Sequence, residues 1–534
     1  MQLNSRRMEL DLVSQLYARW QNWGRLEERS TAKAIEWSAG EDSLEWSYLK
    51  LVEEIEMSAG LITALGLKRG DVLGFQVPRG PHWIPLFLGA LSQGVTVLLL
   101  NDSYTAHELG YYLLDAQVRV ALIPLEKHSS LHERLSELGG AKIELIDSQE
   151  LEPHRHAYTP RVPLQDLCAE ELAVLAYTSG TTGRPKGARI RHRDLMGTLH
   201  ALHEAWEWSP NDRLIHTLPL FHIHGLFVAA LGSLWAGATL ILLPRFEALE
   251  VLRAVEEHSA TILMGVPTHH QRYLMIPAQD RPNVSSLRLV TSGSAPLSAE
   301  RFEAFYQAYG LEIVERYGMT EVGIVLSAKL KGQKKPGSVG YPLPGVCAKI
   351  CDRLDRELAQ GEIGELHISS SSLFEAYHLR PDATDEAVYQ DRLGRRWMRT
   401  GDIAYRDEDG MYWLKGRASE MIISGGLNVY PKEVESAIYE ASEAISLKNL
   451  GTPVWLSEVV IIGFSDPDWG ERVEAFYTSV SGLEPSESQV LALSEALSDR
   501  LASYKRPKRW TWIESLPRNA MGKVQRFKLR EQSF

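Results

Sequence analysis

Residues 177–190 read YTSGTTGRPKGARI, a run of hydroxyl residues and glycines closed by Lys186. So many backbone N–H groups unencumbered by large side chains suit an anion, a phosphate above all. The familiar phosphate cradle that opens a helix requires a lysine followed at once by Ser or Thr, whose hydroxyl reaches Mg²⁺. Here Lys186 is followed by Gly187 and Ala188, so that reading fails on a named residue. An ordinary flexible loop is the other reading of such a run, and the segments around it have to decide.

Just before the loop, ELAVLAYT (171–178) is a continuous apolar run of strand length, and helical periodicity follows from His192 to Trp206. The same rhythm continues with strands at ATILMGVP (260–267), LRLVTSG (287–293) and EIVERYG (312–318), and with a helix from Ala299 to Tyr309. GALSQGVTVLLL (89–100) also aligns without gaps to GSLWAGATLILL (232–243), six of twelve positions agreeing. Each copy reads as a helix, a glycine stop and a fully buried strand. The alternation predicts an α/β fold with two similar subdomains, parallel sheets covered by helices, and ligand sites at the carboxyl ends of strands. After about Gly345 the pattern changes to short alternating strands with a hairpin signal at Asp407–Gly410, as in a small β-barrel-like subdomain. A strand, the pair Gly425–Gly426, a helix and a further αβ unit then complete a small α+β domain. The hinge is placed near 417–421, giving domains 1–417 and 418–534. The stretch 442–460, SEAISLKNLGTPVWLSEVV, reads as an extended surface loop before a strand.

The chain has 534 residues, more than one hydrophobic core usually supports, which agrees with a large and a small domain. A net charge of -12, from 57 basic and 69 acidic residues, argues against a nucleic-acid-coating surface. Three cysteines, in no zinc spacing, suggest a reducing compartment and no disulfide framework. The N-terminus resembles neither a signal nor a transit peptide, so a cytoplasmic location fits best. Thr217–Pro244 has no Asp, Glu, Lys or Arg, yet His222, His224, Gly232, Ser233 and Gly237 within it favour a buried helix and strand over a membrane span.

The opening loop now finds its context. In order along the chain stand YTSGTTGRPKG (177–187), FHIHG (221–225), ERYGMTE (315–321), RTGD (399–402), Gly416–Arg417 and PRNAMGKVQR (517–526). Together they resemble the adenylate-forming superfamily of acyl-CoA synthetases, peptide-synthetase adenylation domains and luciferases. The resemblance implies an ATP-dependent ligase: a carboxylate attacks the α-phosphate, pyrophosphate leaves, and the acyl group passes from the adenylate to a thiol. The loop would then wrap the β- and γ-phosphates with Thr178, Ser179, Gly180, Thr181, Thr182 and Gly183, while Lys186 adds charge. Such chemistry brings anion to anion, so neutralisation and in-line positioning must carry it.

The remaining roles are those the resemblance implies. Glu321, with the Thr178 hydroxyl, would hold Mg²⁺; Thr320 would contact the α-phosphate; Tyr317 and Gly318 would face adenine, opposite Ser294, Ala295 and Pro296. Asp402 can accept from both ribose hydroxyls, with Arg417 nearby, and His222 lies between the nucleotide and acyl sites. Lys523 would swing in to bridge carboxylate and α-phosphate, leaving when the small mobile domain rotates, and Gly425 and Gly426 would line the thiol channel. The family commonly has Lys-Asp after the Gly-Arg pair, where this chain has Ser419 and Glu420, a departure that leaves the longer Glu420 at the position of the hinge pivot.

Within the superfamily, ERYGMTE, SGGLNVYPKEVES, PRNAMGK and LNDSYTAHELGYYL (100–113) most resemble malonyl-CoA synthetases. That implies malonate or another short acid as substrate, with Arg272 of GVPTHHQRYL (265–274) binding the carboxylate that does not react. Medium-chain or aryl acids remain alternatives, as does a carrier protein in place of CoA. Lys505, Arg506, Lys508 and Arg509 could meet CoA phosphates or be solvated surface charge. A luciferase-like oxidase and a non-catalytic nucleotide-binding regulator are the competitors from other classes. The oligomeric state is not readable.

Overall fold

The computed structural model describes residues 10–27, 30–139, 142–151, 162–178, 185–295, 297–448, 454–518 and 524–531. They form two compact units: 1–348 with 368–398, and 349–367 with 399–534. The strand Arg396–Arg406 carries the chain from the first to the second.

The first unit is α/β, as expected. One sheet runs, in spatial order, 376–377, 186–191, 172–178, 96–99, 72–75, 120–123 and 144–147, with 186–191 antiparallel to both its neighbours and the other pairings parallel. The other places 341–342, 323–327, 313–319, 289–292, 262–265, 213–216, 239–242, 33–37 and 44–47 side by side, with a parallel centre and antiparallel edges. The central strands are buried along their length, which is why they read as unbroken apolar runs.

The internal repeat holds. Helix Trp83–Ser92 and strand Thr96–Leu99 are joined through Gly94 at φ +71°; helix Leu231–Trp235 and strand Thr239–Leu242 are joined through Gly237 at +69°. That left-handed turn demands glycine in both copies. The earlier glycines differ in use. A Cβ on Gly89 would lie 2.6 Å from Ser58 Cβ, because helix Tyr48–Ala64 packs directly on it, whereas one on Gly232 would meet Trp208 at an ordinary 3.5 Å. Helix Ala299–Tyr309 has its expected bounds, capped by the Ser298 side chain and by Gly310 at φ +69°.

Two segments differ from expectation. The buried helix of the uncharged stretch opens with a π-helical turn, His224–Ala230. Gly225 has no Cβ to collide with the Pro219 carbonyl, which an added Cβ would approach to 2.0 Å, and its own carbonyl meets His216 Nε2 at 2.8 Å. No helix among the described residues is long and apolar enough to cross a membrane. The stretch expected as a surface loop is regular at both ends, its middle, 449–453, lying outside the described residues: helix Pro431–Lys448 runs on through Ser442, and strand Leu456–Asp466 closes it. Ile438, Ala441 and Ile445, at helical spacing, pack into the second unit's core and keep the helix going.

That core lies between helices Pro431–Lys448 and Glu487–Ala496 and a sheet of strands 427–429, 422–424, 470–479 and 456–466, with 509–512 beside 470–479. Strand Tyr412–Arg417 pairs with the preceding strand through the predicted Asp407–Gly410 turn, Gly410 N–H donating to the Asp407 carbonyl.

Candidate active site

The stems of the glycine-rich loop are fixed from the side. Thr178 and Lys186 face each other in an antiparallel pair, and Thr178 Oγ1 lies 3.5 Å from the Lys186 carbonyl. Helix Ala106–Asp115 holds both stems: Tyr111 donates to the Pro185 carbonyl at 3.0 Å, and Asp115 accepts from Tyr177 at 2.5 Å and from Arg380 at 2.9 Å. Ser179, Gly180, Thr181, Thr182 and Gly183 lie outside the described residues, as do Pro296 and Lys523.

Strand Ile313–Met319 and the turn after it deliver the ERYGMTE residues. Tyr317 is buried in the strand and Gly318 has no room for a side chain, since a Cβ would come within 2.1 Å of the Gly323 carbonyl. Thr320 is half-buried and Glu321 buried, with Glu321 Oε1 accepting from Tyr377 at 2.8 Å. A buried carboxylate is a hard oxygen ligand of the kind Mg²⁺ takes. Ser294 stands at φ +66°, its hydroxyl 3.4 Å from His224 Nδ1, and both it and Ala295 are exposed.

Sequence reasoning overlooked one residue here. Arg316, between the strand's better-recognised neighbours, is only 5% exposed. Among the described residues neither its Nε nor its Nη2 meets a hydrogen-bond partner. Burial pulls its guanidinium down to about 9, still charged near neutrality. Gly293 makes room for it, because a Cβ there would come within 2.4 Å of the guanidinium carbon. Arg316 lies inside a quoted motif, but its strand is buried on both faces, so no alternation marked where its side chain points.

Beside Arg316 stand neutral histidines. Burial and the Arg316 charge together push His222 down to about 4, and burial followed by the same charge holds His224 well below its ordinary value. His222 Nδ1 accepts from the His224 N–H at 3.2 Å. Burial also drives His216 and His270 to about 3 and His269 to about 4. Each would take a proton near pH 6.5 when unfolded, so between pH 6.5 and about 4 the unfolded chain binds more protons. Stability must therefore fall as pH falls through that window, by up to ~1.4 kcal/mol per pH unit per histidine. We expect the urea midpoint to drop steeply below pH 6.5; an unchanged midpoint from pH 7 to 4.5 would contradict this neutral cluster.

The placement of Arg272 is set by its helix. It is exposed on helix Pro267–Leu274, with its guanidinium 5.7 Å from the Phe246 ring centre. The buried positions of that helix are Pro267, His270 and Tyr273, spaced by three, and residue 272 falls off that face.

In the second unit, Asp402 and Arg417 are opposite one another in paired strands and form an ion pair at 2.9 Å. Arg417 also donates to the Thr400 carbonyl at 2.8 Å. Gly425 and Gly426 form the two-residue turn between Ser424 and Leu427, at φ +59° and +76°, a conformation that requires glycine whatever else the pair does. Gly425 N–H donates to the Trp469 carbonyl at 2.7 Å, and the Lys508 ammonium lies 4.4 Å from the Trp469 ring centre. Glu420 pairs with the half-buried Arg526 at 2.9 Å, and Arg526 also reaches Glu435 at 2.7 Å.

Residues 25–378 match the family of AMP-binding enzymes, and residues 454–523 match the AMP-binding enzyme C-terminal domain. The chain is 30% identical to a long-chain-fatty-acid–CoA ligase of Bacillus subtilis, over 89% of this chain and 88% of that protein. It is 32% identical to a malonate–CoA ligase of Arabidopsis thaliana, over 87% and 78%. Among solved structures it resembles ATP-bound MatB from Rhodopseudomonas palustris, with a TM-score of 0.86 at 33% identity over 98% of this chain and 99% of that one. The chain belongs to the AMP-binding enzymes, and it is an AMP-forming acid–CoA ligase of the adenylate-forming superfamily.

Proposed function

We propose that the acid this ligase activates is a short carboxylate carrying a second anionic group, malonate being the first candidate, and that Arg316 receives that second group. The observation behind this reading is the buried guanidinium without a described partner. An isolated buried charge is costly, and a pocket for a fatty tail gives no return for it. A short dianion would supply the missing acceptors, and the planar fork of arginine matches a carboxylate. The neutral histidines suit the same purpose, since they line the site without a competing charge. The similarity to a malonate–CoA ligase supports the choice of acid. Arg272 is the second candidate for this role, from an exposed position.

In this reading the loop stems and Lys186 bind the triphosphate, Thr320 and Tyr317 position the α-phosphate and adenine, and Asp402 with Arg417 holds the ribose. Glu321 and the Thr178 hydroxyl would hold Mg²⁺, which supplies neutralising charge among the phosphates. The neutral His222 can donate one hydrogen bond at the acyl carboxylate without quenching the nucleophile. The segment 418–534 acts as the mobile domain, turning at Glu420 to exchange Lys523 for the thiol route past Gly425 and Gly426. Trp469 and Lys508 offer a ring and a charge to the nucleotide end of CoA.

The test is thioester formation with ATP, Mg²⁺ and CoA across malonate, methylmalonate, sulfoacetate, propionate, decanoate and benzoate. We expect the three acids with a second anion to exceed propionate in kcat/KM by at least roughly tenfold, the return on one desolvated charge pair. A preference for decanoate or benzoate would end the dianion reading while leaving the ligase assignment in place.

A further inference from the structure

Tyr377 belongs to none of the motifs by which the sequence announces its chemistry, yet two charged groups of the phosphate site meet on its side chain. Its hydroxyl donates to Glu321 Oε1 at 2.8 Å, and the Lys186 ammonium lies 5.0 Å from its ring centre. The side chain is itself held in place. Tyr377 is buried, pairs with Ala188 on the strand that begins at Lys186, and donates its backbone N–H to Thr384 Oγ1 at 2.9 Å. Phe374 meets its ring edge-on at 4.8 Å and donates its own N–H to the Glu321 carbonyl at 2.8 Å.

We propose that Tyr377 is a positioning residue for metal-nucleotide binding, orienting the Glu321 carboxylate through its hydroxyl and holding the Lys186 ammonium on its ring face. The inference rests on the roles given above to Glu321 and Lys186. The chemistry favours a phenol over other partners. A phenol proton fixes the rotation of a carboxylate without cancelling its charge, which a lysine or arginine in the same place would do. A cation over a ring is held more weakly than in an ion pair, so the ammonium can transfer to a phosphate at little cost. One side chain thereby presents an anion and a cation in fixed places. Groups that orient a metal-binding carboxylate from behind matter nearly as much as the carboxylate itself.

Tyr377→Phe separates the two duties, because it keeps the ring and removes the hydroxyl; Glu321→Gln is the reference. Binding is read by the electron paramagnetic resonance of Mn²⁺ in the presence of ATP, and by calorimetry of ATP in EDTA, with the unfolding midpoint recorded alongside. Tyr377→Phe is expected to weaken metal-dependent ATP binding by roughly 10- to 100-fold, as outer-shell changes do, with metal-free ATP binding unchanged. Tyr377→Leu should weaken both, because Lys186 loses its support as well; should that variant not fold, the Phe variant decides alone. Wild-type metal affinity in Tyr377→Phe, with a loss in Glu321→Gln, would overturn the role of Tyr377 and leave that of Glu321. Equal loss of metal-dependent and metal-free ATP binding in Tyr377→Phe would show a packing role and also overturn it. If Glu321→Gln binds Mn²⁺ and ATP as the wild type does, the metal assignment of Glu321 fails first and this inference with it.

Discussion

Arg316→Met is expected to cost malonate turnover on the order of 2 to 5 kcal/mol in kcat/KM, roughly thirty- to several-thousand-fold, while making the ligand-free protein more stable. The two effects have one cause. In the free enzyme the guanidinium is buried, and its Nε and Nη2 lack described partners, so it sits in an environment that burial alone makes hostile to charge. Methionine fills much of the same volume without that penalty. With a bound dianion the position reverses, because the substrate's second anionic group would then lie buried opposite a thioether. Propionate, having no such group, should retain its wild-type turnover or exceed it. The stability gain also has a pH signature. Arg316 titrates near 9 when folded, below its ordinary value, so the penalty is present in full below pH 9 and fades as the folded group loses its proton. The difference in urea midpoint between variant and wild type should therefore be largest near neutrality and shrink above pH 9. Equal losses with malonate and propionate would mean that Arg316 shapes the site generally. Undiminished malonate turnover would move the search to Arg272.

What the sequence disclosed and what it withheld follow from the kind of signal each feature leaves. The α/β class was legible because central strands of a parallel sheet are buried on both faces and appear as uninterrupted apolar runs, as at Leu172–Thr178 and Ile262–Gly265. The repeat was legible because one backbone problem, a helix turning back into a strand, has the same glycine solution at Gly94 and Gly237. The same burial hid Arg316: with no exposed face to contrast against, a strand gives no hint of where each residue points. Tyr377 was hidden differently, since its importance arises from neighbours 56 residues away in Glu321 and far beyond that in Lys186, the first met through a side-chain hydrogen bond and the second through strand pairing. Arg272 is the converse case: its charge beside a conspicuous segment suggested a carboxylate ligand, and the three-residue spacing of Pro267, His270 and Tyr273 leaves it on the exposed side of that helix, where it stays the second candidate. The π-helical turn at His224–Ala230 depends on one carbonyl contact at Gly225, which no periodicity encodes.

Lys523→Ala is expected to reduce adenylate formation by roughly 10²- to 10³-fold, the loss typical of one transition-state donor, while thioester formation from a supplied acyl-adenylate stays within a few-fold of wild type. Lys523 itself lies outside the described residues, but both stems of its segment are described and both are fixed within the second unit. Arg518 and Val524 form a bridge across the segment, Gln525 N–H donates to the Pro517 carbonyl at 2.7 Å, and Arg518 pairs with Glu458. On the far stem the half-buried Arg526 holds both Glu420 and Glu435. With both stems fixed in the second unit, a lysine carried between them would travel with that unit. In the proposed reading of 418–534 as a mobile domain, one orientation would offer the lysine to the α-phosphate, and the other would withdraw it while the thiol enters. Glu420 is longer than the aspartate usual in this family, but its pairing with Arg526 ties the hinge segment to the arm of Lys523, so the two would turn together. Removing the ammonium should therefore silence pyrophosphate exchange, which needs the first orientation, and spare single-turnover thioester formation, which needs the second. Loss of both half-reactions to the same extent would mean that the lysine serves throughout and that the domain does not divide the work.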